Sequence, residues 1–338
     1  MLIEKKDYKI SIIRMIAFCL IVTCHIMQYL GMELAWWFNI GVPIFLCISG
    51  YLYGQKSIKN EMEFYIKQAK KILIPYFIVV LPVIFIQVIF YPKDISFVQM
   101  IRALLCNSIL SGGEHLWFIP TILFCYFLTP FLEEYFNYFY ERGNFKFLIG
   151  WVILVVLFAL IFGGFLRYFN PPWITCYMIG YTLGFLKNIK SKLYKVICTC
   201  ISIISLFNVL QIYLDYIVKI DLDGILEKVY ILFCTYNHVF LGISLFVILE
   251  VLFRYIDITN IKLIKKLCDI SDCYSYEGYL VHQFMILGPM TLMDLTENLI
   301  FNIFLILVLI CVCSHIVKKF HCYLLGSRGI YLYARGES

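Results

Sequence analysis

Apolar stretches of about 17 to 25 residues recur along the whole chain, each long enough to cross a bilayer as a helix. Ten can be drawn, at approximately 10–30, 35–54, 72–91, 115–132, 147–166, 172–186, 193–214, 229–252, 272–292 and 299–317. The sixth is short and opens on Pro171-Pro172, and the longest connection expected on the outer side, roughly 91–114, has room for a small surface helix. No repeat, low-complexity tract or soluble domain interrupts the series. The pattern predicts a single all-α polytopic membrane domain over residues 1–338 with about ten transmembrane helices.

The connections differ in charge. Lys5, Lys6 and Lys9 precede the first stretch, and further cations gather in alternate connections, at Lys56 to Lys71, Arg142 and Lys146, Lys187 to Lys195, Arg254 to Lys266, and from Lys318 into a tail with Arg328 and Arg335. The intervening connections hold only Lys93, Arg102, Arg167, Lys219 and Lys228. The positive-inside rule then puts both termini in the cytoplasm of a multi-pass cell-membrane protein, and an even number of spans agrees with that.

Composition agrees. Of 338 residues, 62% are hydrophobic and only 15% charged, against the roughly 25% charge of soluble domains. The first apolar stretch reads as an anchor rather than a cleaved leader, because no small-residue cleavage site follows it. Fourteen cysteines occur without a Cys-x-x-Cys pair, so they read as small buried hydrophobes, and no metal site is expected. The formal charge of +6 is dispersed over short connections, which excludes a nucleic-acid surface.

Against this background the polar residues inside the spans stand out. Arg14 and His25 are eleven positions apart, which at roughly 100° per residue returns a helix to within about 20° of the same face. Ala17, Ile21 and Gln28 share that stripe. Ionisable groups inside a span are costly and read as functional, although a snorkelling Arg14 and a helix-bridging His25 would also account for the pattern. A turn near Met32 brings Asn39 of the second span to the depth of His25, and Gly41, Pro43, Ser49 and Gly50 make that span small-faced. His115 and Trp117 open the fourth span on the same side. In the ninth, Glu277 lies at the depth of Arg14 and is its expected partner, while His282, near mid-membrane, would line the cavity or pack quietly. Lys67, Lys70 and Lys71 precede the third span, where point charges suit phosphates as well as topology.

Six segments, in order over almost the whole chain, resemble the integral-membrane acyltransferase 3 family: Arg14 and His25 with Ala17 between, VPIFLCISGYLYG (42–54), the basic run before IPY (74–76), HLWFIP (115–120) with Pro130 after it, YMIGYTLGF (177–185) and YSYEGYLVH (274–282). The resemblance implies ten helices and transfer of an acyl group, acetyl or succinyl most often, from cytosolic acyl-CoA to a carbohydrate hydroxyl on the outer side. It implies His25 as the catalytic base, Arg14 as essential, and the basic residues before the third span as the coenzyme site. Lysines stand here where that family has arginines, with Gln68 and Ala69 between them. Some relatives carry an extracellular hydrolase-like domain that completes the transfer. None follows here, so a separate glycan-assembly or extracellular transfer protein is a candidate partner, besides the bilayer, acyl-CoA and a carbohydrate acceptor. The alternatives are a polysaccharide exporter or flippase using the same polar cavity for alternating access, and a small-molecule transporter such as an amino-acid uptake domain.

Overall fold

The computed structural model describes residues 6–107, 110–165, 171–256 and 261–326, with residue 156 and residues 158–165 described for the backbone alone. Lys5, Arg167, Arg328 and Arg335 of the charge pattern lie outside these. In chain order the elements are α1 (Tyr8–Tyr29), α2 (Ala35–Phe38), α3 (Gly41–Tyr53), α4 (Glu61–Phe90), α5 (Phe97–Leu104), a 3₁₀ turn (Glu114–Trp117), α6 (Phe118–Glu141), α7 (Asn144–Phe165), α8 (Pro171–Asn188), α9 (Leu193–Ile204), α10 (Phe207–Ile212), α11 (Gly224–Tyr255), α12 (Lys262–Ile286) and α13 (Leu299–Leu325). A π-helical stretch, Tyr213–Val218, continues α10.

A helix occupies each of the ten predicted stretches, and no strand occurs among the described residues. Among the described residues, seven helical segments are long and apolar enough on their own to cross a bilayer. α8 and α12 stand outside that set, while α7 has its side chains described only in part. α8 is 18 residues long and buried over most of its length, and α12 carries Lys262, Lys265, Lys266, Asp269, Asp272 and Glu277 among its apolar residues. The chain is an all-α polytopic membrane protein.

The helices form two compact units. The first comprises Met1–Asn39, Met62–Leu123 and Asp257–Ser338 and carries α1, α2, nearly all of α4, α5, the 3₁₀ turn, α12 and α13. Here α1 and α12 run parallel: Arg14 meets Asp272 near one end and His25 lies beside His282 towards the other, beyond which Tyr29 donates to Asp294 in the connection that follows α12. Gly278 makes the approach possible, because a Cβ there would sit 2.8 Å from the Phe18 ring.

The connection after α4 holds the expected small helix, α5, and packs it back against α4. Tyr76 donates to the carbonyl of Ala103 at 2.6 Å, and Gln87 to the carbonyl of Ser111 at 2.9 Å. These anchors are eleven residues apart on α4, so the connection runs back along that helix for about 16 Å. Such a segment is tolerated at membrane depth only if its backbone is satisfied internally. Ser96 supplies this at the start of α5 through a capping box with Gln99, and the exposed stripe of Phe97, Val98, Ile101, Leu104 and Leu105 is wholly apolar.

The second unit comprises Ile40–Glu61 and Phe124–Ile256. Its centre is the pair α3 and α8, in which Gly50 and Gly54 lie against the carbonyls of Tyr177 and Tyr181 while Gly180 and Gly184 lie against those of Cys47 and Tyr51. Any Cβ at these four positions would overlap the opposite backbone. Lipid gives no hydrophobic drive for helices to associate, so such reciprocal small-residue faces supply van der Waals contact instead. α7 is tied on by Trp151 donating to Thr182 at 3.0 Å, and Phe136, Phe147, Tyr181 and Phe185 fill the space around α8.

Candidate active site

Three segments of the first unit bring three imidazoles together. The His282 ring centroid lies 5.0 Å from that of His25 and 5.0 Å from that of His115, and His25 and His115 are 6.4 Å apart. His25 comes from α1, His282 from the parallel α12, and His115 from the 3₁₀ turn. That turn is clamped onto α12 by four bonds. The His115 backbone N–H donates to Gln283 at 3.1 Å, Gln283 donates to Glu114 at 2.7 Å, Tyr279 donates to the His115 carbonyl at 2.5 Å, and the His115 ring meets the Leu280 carbonyl at 3.2 Å.

The partners fix how each ring is protonated when neutral. A carbonyl oxygen only accepts, so the ring nitrogen facing it must carry the hydrogen. On His25 this is Nδ1, 2.6 Å from Oε1 of Gln28; on His282 it is Nδ1, 2.7 Å from the Tyr279 carbonyl; on His115 it is Nε2, facing Leu280. Each ring therefore keeps one lone-pair nitrogen. Those of His115 (Nδ1) and His282 (Nε2) have no hydrogen-bond partner among the described residues, and both side chains are buried. His25 is half-buried, the most exposed imidazole of the three. No set of three or more His, Cys, Asp or Glu side chains among the described residues, these rings included, is arranged to hold a metal ion.

Arg14 lies eleven residues below His25 on the same face of α1, about 16 Å along the axis. Its Nη1 is 2.7 Å from Asp272, which also accepts from Ser11 at 2.5 Å. Lys6, at the foot of the same pair of helices, is partly desolvated, yet Asp269 and Asp272 hold its ammonium above the usual lysine value. One turn after Asp272, Tyr276 donates to the carbonyl of Ile72 at 2.8 Å, so α12 also meets α4 just where the lysine run ends. Of that run Lys67 and Lys70 are exposed and Lys71 is half-buried.

One sequence expectation fails here. Glu277 is not the partner of Arg14: it is 2% exposed and pairs with Lys318 of α13 at 3.1 Å, with His321 Nδ1 3.8 Å away. Equal depth was a sound inference, but five residues separate Glu277 from Asp272, which turns the two carboxylates about 140° apart around α12. Glu277 accordingly sits in a helix interface and not on the polar face. Asn39 ends α2, half-buried, and makes no hydrogen bond to His25. The amide that holds the imidazole is Gln28, whose place on the stripe was visible but whose role was not. Trp117 ends the 3₁₀ turn, half-buried beside Phe118. Tyr279 and Gln283 were missed, because nothing in their spacing marks them apart from the apolar run they interrupt.

A family model described as an acyltransferase domain, that of acyltransferase 3, matches residues 7–318 and so takes in nearly every element of both units. None of the curated proteins and none of the solved structures compared matches the chain. The chain belongs to the acyltransferase 3 family and is a membrane acyltransferase that transfers groups other than amino-acyl groups.

Proposed function

We propose that the protein takes an acyl group, acetyl or succinyl, from cytosolic acyl-CoA and esterifies a hydroxyl of a cell-surface or lipid-linked carbohydrate, with His25 as general base. The observation that carries this reading is the state of His25 itself. Its Nδ1 is tied to Gln28, its Nε2 keeps a lone pair, and it is the most exposed member of a group of three imidazoles. An alcohol is too weak an acid to attack a thioester unaided, so a positioned imidazole is the group the chemistry needs.

In the proposed reaction, Nε2 of His25 takes the proton of the acceptor hydroxyl as its oxygen adds to the thioester carbonyl. The tetrahedral intermediate collapses with cleavage of the carbon–sulfur bond. The proton passes from the imidazolium to the departing coenzyme A thiolate, leaving an O-acyl sugar and free thiol. Gln28 holds the ring in the required tautomer throughout. His115 and His282 wall the site on the protein side and keep bulk water from the base.

The donor would enter from the end carrying Arg14, Lys67, Lys70 and Lys71, which the positive-inside pattern assigns to the cytoplasm. Cations there suit the phosphates and adenosine end of the coenzyme, and the separation of Arg14 from His25 is comparable to the reach of its extended pantetheine arm. The test is donor binding to purified protein: changing Lys67, Lys70 and Lys71 together to Gln should weaken acetyl-CoA binding by at least about tenfold, in line with the loss of charge-assisted contacts. Unaltered affinity would reduce the lysines to a topology signal.

A further inference from the structure

A second charged cluster sits within the other unit. Glu250 of α11 is 2% exposed and is surrounded by Lys187 of α8 at 2.7 Å, Arg254 one turn along α11 at 2.6 Å, and the Tyr194 hydroxyl of α9, which donates at 3.1 Å. The guanidinium is bound twice more, through Nε to Glu250 at 3.2 Å and through Nη2 to Tyr194 at 3.1 Å. Lys187 also donates to the Tyr51 hydroxyl. Two cations thus answer one carboxylate. The carboxylate lies beneath them, and the cations face outward with side chains 34% and 38% exposed. A cation that merely snorkelled would extend freely into the headgroup layer. Here the guanidinium is fixed in one plane and its Nη1 takes part in none of these bonds.

Beside this cluster, α9 and α11 leave an open groove of about 730 Å³. Cys198, Ser202 and Leu206 form one wall; Val247, Val251 and Tyr255 form the other. Tyr255 follows Arg254 directly, and Cys198 is one turn from Tyr194, so the groove begins where the cations end. From Tyr255 to Val247 it runs about 12 Å into the apolar layer. The occupant of such a site must carry a negative head of phosphate geometry and a long apolar tail that lies along helices. A free phosphate would leave the groove empty, and a neutral lipid would leave the excess cation unanswered.

We propose that this site binds one anionic glycerophospholipid of the surrounding leaflet, with the phosphodiester on Arg254 and Lys187 and one acyl chain in the groove. Arginine recognises phosphate by paired N–H donors, and the anionic lipids of a cytoplasmic leaflet supply that group at the depth of a juxtamembrane cation. The proposal does not rest on the catalytic reading above.

The test is native mass spectrometry of the purified protein in detergent, titrated with phosphatidylglycerol and phosphatidylcholine of identical chains. Wild type should retain phosphatidylglycerol at about tenfold lower concentration, and Arg254→Gln, in which Lys187 still pairs with Glu250, should lose that preference. Val251→Trp fills the groove without touching the charges, so it should release both lipids and carries the test if the arginine variant does not fold. Equal retention of the two lipids by wild type, or undiminished phosphatidylglycerol on both variants, would overturn the proposal. So would displacement of the lipid by glycerol 3-phosphate, which makes it a bare phosphate site, or by acetyl-CoA, which makes it a donor site.

Discussion

At the scale of single residues, the same helix carries carboxylates of opposite meaning. Asp272 meets Arg14 on the polar face of α1 and α12, whereas Glu277 is buried against Lys318. Breaking a buried pair by removing one partner strands the other charge and costs about 3–5 kcal/mol, while replacing both by apolar residues is close to neutral. Glu277→Gln is therefore expected to lower thermal stability strongly, and Glu277→Leu combined with Lys318→Met to regain both stability and acyl transfer. A stable but inactive Glu277→Gln would instead make it a residue of the site. What could be read from the sequence at this scale follows from helical period. Arg14, His25 and Gln28 had to share a face because 3.6 residues make a turn. Which neighbouring helix that face meets, and which way Glu277 turns, depends on the rotation of α12, and no single-chain periodicity fixes that. The convergence of His25, His115 and His282 was hidden for the same reason, since three segments far apart in sequence supply it.

At the scale of elements, glycine decides the second unit. The sequence showed a small face on the second span and two glycines in YMIGYTLGF, but not that the two faces would be reciprocal. Because the backbones of α3 and α8 are already in contact at Gly50, Gly54, Gly180 and Gly184, even one methyl group must separate them. Gly180→Ala or Gly184→Ala is expected to destabilise by about 1–3 kcal/mol, the usual range for overpacking, and leucine at either position to prevent folding. Thermal unfolding in detergent measures this, and unchanged transitions for the alanine variants would contradict the close approach. The connection holding α5 was less legible. Its length suggested the small helix that α5 is, but the bond from Tyr76 to the Ala103 carbonyl, which draws it back along α4, is a tertiary contact that no local pattern announces.

At the scale of the whole molecule, the hydrophobic pattern was sufficient for the class of fold, because a chain in lipid must satisfy its backbone inside each helix. Burial and apolarity part company at α8 and α12. α8 is surrounded by protein, α12 carries the polar residues of the site, and neither needs the apolar surface of a lipid-facing span. Orientation rests on charge. Cysteines placed at Lys93 and Ser338 should react with a membrane-impermeant maleimide from opposite sides, above the background of the native thiols, while one at Leu104 should be shielded from both if α5 lies beside α4 at depth. Reaction of the Lys93 and Ser338 positions from one side would overturn the assignment of the lysine-rich end to the cytoplasm, and with it the donor route.

All three scales meet at the imidazole of α1. A general base contributes roughly 10² to 10⁴ in rate, and its removal acts on the chemical step rather than on donor capture. The most direct measurement is single-turnover acyl transfer by purified His25→Ala, with acetyl-CoA binding measured on the same preparation. The account predicts a loss of at least about 100-fold in the transfer rate with donor affinity unchanged, and a smaller loss for Gln28→Leu, which releases the ring without removing it. Near-normal transfer by a folded His25→Ala protein would contradict the central claim.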